Sequence, residues 1–427
     1  MTEPAPPRAF ARMFSSAILI QALLSAANLL ISLILIRRAS DADYGYFVLI
    51  TNSLLLLTSL QGAFIQPPMV MRMTQTDALG RGRLIGGLAH AQGRLLVGLA
   101  TALLFVIAFG LLAGFTTPRL ALLLSVALGA ALAALFREFF RISLLAYRRP
   151  NDVLRADFVF VALFIGGAYA STFTPLPAIG ATFSLGVAAL AGGRLLSRAL
   201  QRHEPWARTS SPGLLRSIAP IGAWSAAGAV THWAFSQGYN YVAVGTLDVT
   251  AVAALAATRL TMMPVNLMSA GIASLMMATA SAWLKQHGPA AVFGRLLRVA
   301  AGLCLAALAY MLLLWLLRDW IFSQVMGKDF PQRDALLLCW SAVFLVAVFR
   351  DQLLYLPGAS GRFRPMAFIT LISALLSLAI TYVALGQFGV IGAPIGVLVG
   401  EVANLLGILA LSAREIARER ATAERPA

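Results

Sequence analysis

Charged side chains are scarce in this sequence of 427 residues. Asp, Glu, Lys and Arg together make up 12% of it, whereas a soluble domain has about 25%. Hydrophobic residues make up 59% of the chain, and the mean hydropathy is +0.82. A soluble core cannot bury this much apolar surface, so the excess must face lipid. The composition therefore predicts an integral membrane protein.

Cysteine and histidine are also rare. The two cysteines, Cys304 and Cys339, lie in apolar segments and form no disulfide framework or metal motif. The four histidines lack the spacing of a zinc site, and no P-loop or Gly-x-Ser-x-Gly elbow occurs. We therefore predict no metal, no cofactor and no enzymatic activity. A membrane-embedded glycosyltransferase or ligase stays open as an alternative, although the predicted outer loops are short for such chemistry.

The charge that is present is mostly positive, with 33 Lys and Arg against 17 Asp and Glu, a net charge of +16. In a soluble protein this excess would suggest nucleic acid. Here most basic residues lie between apolar runs, so they indicate membrane orientation, and no nucleic-acid partner is predicted. With a cytoplasmic N-terminus, few basic residues fall outside: Arg37, Arg38, Arg119, Arg318, Lys328 and Arg333. Both termini are therefore predicted to be cytoplasmic.

About twelve apolar runs are long enough to cross a bilayer, which takes about 20 residues of helix. The predicted spans are 13–36, 44–70, 90–114, 120–146, 154–173, 178–200, 217–244, 250–280, 296–317, 334–356, 365–386 and 390–412. The fold predicted is all-α, and the span at 178–200 and the last two are rich in Gly and Ala, which suits close helix packing.

The chain divides into halves at its longest polar stretch. The predicted parts are a six-helix bundle (1–200), a cytoplasmic linker (201–216), a second six-helix bundle (217–413) and a cytoplasmic tail (414–427). Two weak internal matches agree: PAIGA (177–181) with GVIGA (389–393), and DADYG (41–45) with LDVTA (247–251). Parallel repeats of this kind are typical of transporters, whose substrate path lies between the halves.

Several charged residues lie inside the predicted spans. In the fourth span, Arg137 lies about 16 Å from Arg148, where an arginine costs about 3 kcal/mol or more. Arg137 and Arg141 share a helix face, and Glu138 can reach Arg141. The other embedded charges are Arg259, Arg350, Asp351 and Glu401, whereas Arg94 and Asp157 are interpreted as interfacial.

Two interpretations of these charges stay open. They could be structural pairs that hold helices together, or a cationic surface along the path of an anion. The second is favoured, and it makes Arg137, Arg141, Arg259 and Arg350 candidate substrate-binding residues.

Neutral polar residues form stripes on three predicted helices, and their members recur at helical spacing. The stripes are Gln21, Ser25, Asn28 and Ser32; Asn52, Ser59 and Gln66; and Ser225, Gly228, His232, Ser236 and Asn240. A polar stripe on a single helix is as consistent with a contact between helices as with a cavity. Stripes on three helices favour a shared aqueous cavity. Gln21, Asn28, Asn52, His232 and Asn240 are therefore added as candidate substrate-binding residues.

Five segments resemble the polysaccharide transporters, the Wzx-type flippases, of the multidrug/oligosaccharidyl-lipid/polysaccharide exporter superfamily. They are LIRRASDADYGYFVL (35–49), in which Ala39-Ser40 replaces the family's Leu-Gly, FREFFRISLLAYRRPNDVLRAD (136–157), SQGYNYVAVGTLDVTAVAALAATRL (236–260), WIFSQVMGKDF (320–330) and FGVIGAPIGVLVGEVAN (388–404). The resemblance runs over almost the whole chain, and it rests on the order and spacing of motifs that are each degenerate.

The resemblance implies two six-helix bundles in a V with pseudo-two-fold symmetry, and alternating access. It further implies flipping of an undecaprenyl-diphosphate-linked oligosaccharide from the cytoplasmic to the periplasmic leaflet of the bacterial inner membrane, for surface polysaccharide or exopolysaccharide synthesis. The partners so implied are this lipid-linked oligosaccharide, membrane lipid, a proton or cation gradient and the polysaccharide polymerase machinery. Candidate ion-coupling residues are Glu138, Asp351 and Glu401.

Three alternatives remain. The first is a cation-coupled multidrug antiporter of the same superfamily, which usually places an acid in the first helix, where this chain has Asn28 and no acid. The second is a lipid II flippase, which usually has two more helices. The third is a membrane scaffold without transport, for which the embedded charge is an expensive feature.

Overall fold

A computed structural model describes residues 7–206 and 213–423, and within these ranges the chain is helical with no strand. The α-helices are α1 (Pro7–Arg38), α2 (Asp41–Met73), α3 (Ala78–Leu112), α4 (Pro118–Ala146), α5 (Pro150–Ser171), α6 (Pro177–His203), α7 (Leu214–Thr246), α8 (Val249–Leu260), α9 (Met263–Trp320), α10 (Arg333–Leu353), α11 (Tyr355–Ala359), α12 (Phe363–Phe388) and α13 (Gly392–Ala423). A π-helical turn, Ile321–Met326, follows α9, and a 3₁₀ turn, Gly389–Ile391, precedes α13. The predicted all-α fold is confirmed.

The described helices include nine stretches that are long and apolar enough to cross a membrane. The number is ten if a bent pair of helices is counted as one further span. One of these stretches, Phe363–Glu419, contains both α12 and α13. The helix α7 covers its predicted span but is too polar to be among the nine. Each of the twelve predicted spans therefore corresponds to a helix, a part of one or a bent pair, and the chain is a multi-pass membrane protein.

The eighth predicted span, 250–280, is wrong as one continuous helix. It breaks between α8 and α9 with a bend of 52°. Pro264, in the first turn of α9, explains the break, because proline has no backbone N–H to continue the helix. The Tyr310 hydroxyl donates a hydrogen bond of 2.6 Å to the Thr261 carbonyl at this point.

The loop predicted between the eighth and ninth spans, 281–295, is also wrong. The chain there is helical on both sides of a single break at Gly288, inside α9. Gly288 has φ 73° and ψ 169°, a conformation that a residue with a Cβ rarely adopts. Pro289 then begins the second part of α9, a position that proline favours.

The chain divides into two compact units, Met1–Val230 and Thr231–Ala427, called here the N-terminal and C-terminal units. Their boundary lies within α7. The predicted linker, 201–216, precedes this boundary, and its residues 207–212 lie outside the described residues, as do residues 424–427 of the predicted tail. The predicted domain limits stay a prediction.

The core of the N-terminal unit forms among α2, α3, α4 and α6. Its fully buried members include Met69, Leu88, Phe140, Leu144 and Leu196. Glycine allows the closest approach of α6 to α4, because a Cβ on Gly193 would lie 2.5 Å from a ring carbon of Phe136. The α4 segment that carries the predicted charges is therefore held against α6 at short range.

In the C-terminal unit, α12 and α13 pack through three glycines spaced by four residues. Gly392, Gly396 and Gly400 lie on one face of α13. A Cβ on Gly400 would lie 2.5 Å from the Ser377 Cβ, and one on Gly396 would overlap Thr381. Small residues at this spacing let two membrane helices approach closely, as the Gly-rich sequence predicts.

We expect Gly396→Leu to separate α12 from α13 and to lower the melting temperature of the detergent-solubilised protein. Forcing extra side-chain volume into a packed contact costs about 1–3 kcal/mol. The matched control is Gly386→Leu on α12, where an added Cβ has no atom within 4 Å. Equal melting temperatures of the two variants would contradict this account of the packing.

Candidate functional site

A group of four charged residues, the N-terminal charge cluster, joins α4 to α5. It consists of Arg137, Glu138 and Arg141 on α4 and Asp157 on α5. Arg137 donates to Asp157 Oδ1 at 2.5 Å, and Arg141 donates to Asp157 Oδ2 at 3.4 Å and to Glu138 Oε1 at 3.2 Å. Asp157 is fully buried, and Arg137 is 9% exposed. Asp157 therefore accepts hydrogen bonds from both arginines.

Asp157, interpreted from the sequence as interfacial, lies inside the protein as the partner of Arg137. Its position two residues after Arg155 suggested a surface pair, but α5 begins at Pro150 and turns Asp157 toward α4. One sequence feature pointed to it: Asp157 is the only acid in the fifth predicted span, and Arg137 needed a second carboxylate beyond Glu138. The burial of both partners makes this pair costly to break on one side.

Neighbouring side chains complete the surroundings of Arg137. The Phe160 ring lies 3.9 Å from the guanidinium carbon, a cation–π distance. Gly192 on α6 lies against the arginine, since a Cβ there would be in van der Waals contact with Arg137 Cδ at 3.4 Å. Three helices thus shape one pocket around a single guanidinium, and the two arginines and two acids of the cluster balance in charge.

A second group, the C-terminal charge cluster, consists of Arg350 and Asp351 on α10 and Glu401 on α13. Arg350 donates to Glu401 Oε2 at 2.6 Å and to Asp351 Oδ1 at 2.6 Å. The side chains of Arg350 and Glu401 are 14% and 11% exposed, and that of Asp351 is 36% exposed. Arg350 therefore links α10 to α13, as Arg137 links α4 to α5.

The third embedded arginine, Arg259 on α8, is held by neutral groups. One guanidinium nitrogen donates to the Ser236 carbonyl at 3.0 Å, to Gln237 Oε1 at 3.0 Å and to the Tyr239 hydroxyl at 2.9 Å. The rings of Tyr239, Trp340 and Phe344 lie 5.5, 5.6 and 6.0 Å from its central carbon. Among the residues that the structure describes, no carboxylate lies within ion-pair distance of it.

The position of Arg259 depends on how α8 begins. Asp248 caps this helix, and its carboxylate accepts hydrogen bonds from the Thr250 hydroxyl at 2.6 Å and the Ala251 N–H at 2.9 Å. These bonds favour the ionised form, so they lower the pKa of Asp248. A charged acid at the N-terminus of α8 also suits the helix dipole.

The C-terminal unit brings most of its predicted site residues together. Arg259 lies within electrostatic range of Glu401, and His232 on α7 lies within range of Arg350 and Asp351. Asn240, also on α7, is buried and donates to Gln237, which in turn accepts from Arg259.

The predicted residues on α1 and α2 differ in burial. Gln21 and Asn28 are exposed on α1, while Ser25 and Ser32 of the same stripe are buried. Asn52 is half-buried on α2. Whether these residues line a path for substrate stays a prediction.

The two clusters share a short sequence, Phe-Arg-acid. Phe136-Arg137-Glu138 and Phe349-Arg350-Asp351 are both Phe-Arg-acid, and they are separated by nearly the same interval as PAIGA and GVIGA. Each tripeptide lies in the C-terminal half of its helix. This match relates α4 to α10, as the Gly-Ala motifs relate α6 to α13.

No metal centre accompanies these charges: within residues 7–206 and 213–423, no group of three or more His, Cys, Asp or Glu side chains could hold a metal ion. The charge clusters are composed of arginine and carboxylate. Their chemistry is ion pairing, the binding of anions by guanidinium groups and the transfer of protons to and from carboxylates.

Comparison with solved structures gives transporters as structural neighbours. The inward-facing conformation of a multidrug resistance MATE family transporter of the MOP superfamily superposes with a TM-score of 0.75 at 15% identity, covering 92% of this chain and 95% of that one. An outward-facing conformation of a transporter of the same description gives 0.64 at 15% identity, with 98% of each chain covered. A MATE P26A mutant gives 0.64 at 16% identity. The chain shares their fold. No family model and no curated protein matches it.

We expect Asp157→Asn to destabilise the protein by about 3–5 kcal/mol, because Arg137 would remain buried without its charged partner. Thermal unfolding in detergent measures this. The matched control is Asp152→Asn on the same helix, since Asp152 pairs with His203 at 3.0 Å near the surface, where a pair is worth about 0–1 kcal/mol.

The double variant Arg137→Met/Asp157→Leu removes both charges together and should recover most of the stability lost in Asp157→Asn. Arg141 keeps Glu138 as its partner in this variant. If Asp157→Asn melts at the wild-type temperature, the pair does not hold α4 to α5.

Proposed function

We propose that this chain transports an anionic, lipid-linked substrate across the bacterial inner membrane by alternating access. The substrate proposed is an oligosaccharide joined to undecaprenyl diphosphate, moved from the cytoplasmic to the periplasmic leaflet for surface polysaccharide synthesis. Its diphosphate would interact with the embedded arginines while its lipid tail stays in the membrane. Both termini would be cytoplasmic, with most basic loop residues on that side. The polysaccharide polymerase machinery would then receive the flipped unit.

The observation that carries this proposal is the state of Arg259. A guanidinium inside a membrane helix is expensive, and such groups pair with an opposite charge or with backbone carbonyls. Arg259 is held by a carbonyl, an amide oxygen and a hydroxyl, so its positive charge is not cancelled by an ion pair. Phosphate oxygens are good acceptors for such a group, because the planar guanidinium can donate two parallel hydrogen bonds.

Alternating access is supported by the structural neighbours. Transporters of the same fold have been solved in inward-facing and outward-facing conformations. The two compact units of this chain, each with its own core, suit motion of one helical bundle against another.

A second candidate function is drug export coupled to a cation, as in the multidrug resistance transporters that share the fold. Buried carboxylates at Asp157 and Glu401 would suit a cationic substrate. Both already accept hydrogen bonds from arginine, however, and α1 contains no acidic residue. A cationic drug would have to displace an arginine from its partner, whereas an anion at Arg259 would compete with neutral acceptors only.

Energy coupling would use a carboxylate, because no nucleotide motif occurs. Glu138, Asp351 and Glu401 are the candidates. Glu401 is favoured because it is buried, accepts from Arg350 at 2.6 Å and lies near Arg259. An anion that drew Arg350 away would deprive Glu401 of its ion-pair partner, so binding of the anion and the charge state of Glu401 would be linked.

We expect Arg259→Gln to lower flipping of a fluorescent undecaprenyl-diphosphate-linked oligosaccharide in proteoliposomes by about tenfold or more. Loss of a charged hydrogen bond in a buried site is worth about 1.5–3 kcal/mol, and each 1.4 kcal/mol is a factor of ten. The control is Arg298→Gln, an exposed arginine of the same unit. Normal flipping by a folded Arg259→Gln protein, or drug efflux without flipping by wild type, would reject the proposal.

The same assay tests the N-terminal charge cluster. If Arg137 and Arg141 bind the substrate, Arg137→Ala/Arg141→Ala should abolish transport, but that variant also leaves the buried Asp157 carboxylate without a partner. Arg137→Met/Asp157→Leu avoids this, so lost flipping in a stable double variant would indicate a role beyond packing.

We expect Glu401→Gln to remove the acceleration of transport by an imposed pH gradient while leaving gradient-free exchange. Glutamine resembles the protonated acid and cannot cycle between charge states. The control is Glu415→Gln on the same helix, a buried acid paired with Arg362 at 2.8 Å. Unchanged pH coupling in Glu401→Gln would exclude this carrier, and Glu138→Gln and Asp351→Asn would then be measured in the same way.

A further inference from the structure

We propose that a groove between α3 and α4 binds one anionic membrane phospholipid, separate from the transported substrate. The groove has a volume of about 640 Å³, within the range of about 300–1,000 Å³ for ligand sites. It lies wholly in the N-terminal unit. Arg94 and Val97 on its α3 side are exposed, so the groove opens at the surface of this unit. The inference does not depend on the proposed function.

The walls of the groove suit an acyl chain. Leu132, Phe136 and Phe139 line its α4 side. On the α3 side, Gly93 and Gly98 leave bare helix surface, because a Cβ at either position would have no atom within 4 Å. The space between the two helices is thus apolar and unfilled by side chains.

One end of the groove is polar and positively charged. His90 and Arg94 are four residues apart and share a face of α3. In the part of the chain that the structure describes, Arg94 makes no ion pair. Gln92 lines the same groove, is 8% exposed, and has a side-chain carbonyl oxygen without a hydrogen-bond partner. A buried polar atom of this kind is normally satisfied, so the site lacks a donor.

The height of Arg94 in the membrane matches a lipid phosphate. The chain from Leu95 to Leu112 contains no charged residue and is about 27 Å long as helix, close to the hydrocarbon thickness of about 30 Å. On this length, Arg94 would lie near the edge of the hydrocarbon. The exposed Val97, Leu99 and Phe105 leave this helix open to lipid along its length.

These features select the head group. A phosphodiester accepts hydrogen bonds from Arg94, and a glycerol head group has hydroxyls that can donate to the Gln92 oxygen. A choline head group has no N–H or O–H donor, and its positive charge would lie close to Arg94. An anionic lipid with a hydroxylated head group, such as phosphatidylglycerol, is therefore the expected occupant.

Native mass spectrometry of the full chain in detergent tests this, with phosphatidylglycerol and phosphatidylcholine of the same acyl chains as probes. Wild type should retain one phosphatidylglycerol at concentrations where phosphatidylcholine is lost. Arg94→Gln should weaken this binding about tenfold or more, through loss of a charged hydrogen bond, and Gly98→Leu should block the groove. Phosphatidylglycerol should also raise the melting temperature of wild type but of neither groove variant.

The matched controls are Arg83→Gln, an exposed arginine of α3 outside the groove, and Gly129→Leu, where an added Cβ on α4 also has no atom within 4 Å. Both controls should bind like wild type. Equal binding by all four variants would overturn the proposal, as would equal retention of both lipids by wild type.

Undecaprenyl phosphate is added as a competitor. Its preferential binding in the groove would overturn the assignment to a phospholipid and give the groove to the substrate instead. Because binding is measured without transport, flipping by a protein that retains no phosphatidylglycerol would leave the proposed function intact while rejecting this site.

Discussion

The cost of placing a guanidinium inside an apolar helix governs the rest of this structure. An unpaired charge there is destabilising by several kcal/mol, so each embedded arginine needs acceptors supplied by another part of the chain. Asp157 of α5 serves Arg137, and Glu401 of α13 serves Arg350. The glycines of α6 and α13 pack α6 against α4 and α13 against α12, so one helix of each ion pair is also held by a close contact with a third helix. Pairing and close packing therefore act on the same helices.

The two units meet that constraint with the same tripeptide and different partners. Phe-Arg-acid lies near the end of α4 and of α10, but the second carboxylate comes from the helix that follows α4 in one unit and from the last helix in the other. Arg259 has no such carboxylate and is surrounded by neutral acceptors and aromatic rings. Among the embedded arginines that the structure describes, Arg259 is therefore the one whose charge is not offset by a carboxylate within ion-pair distance.

Much of the fold follows from apolar length alone, which is why all twelve predicted spans correspond to helix. The errors lie where one residue decides the backbone. Pro264 breaks the eighth predicted span. The predicted loop at 281–295 is helical except at Gly288, because helix-forming residues continue on both sides of that glycine. At the site, helical periodicity placed Arg137 and Arg141 on one face, but pairing between helices depends on packing. Asp157 was therefore missed, although the arginine left without a partner implied a further acid.

Under the proposed function, the ion pairs themselves connect substrate binding with proton uptake. Arg350 donates to Glu401 and Asp351, and Arg259 lies within electrostatic range of Glu401. A diphosphate that engages Arg259 or Arg350 competes with Glu401 for the same positive charge. Breaking the pair between Arg350 and Glu401 changes the charge state that is favoured at Glu401, so binding of the substrate and of a proton would be linked. Release of the substrate would restore the pair. A single set of charges can then hold the helices together at rest and couple two ligands during transport.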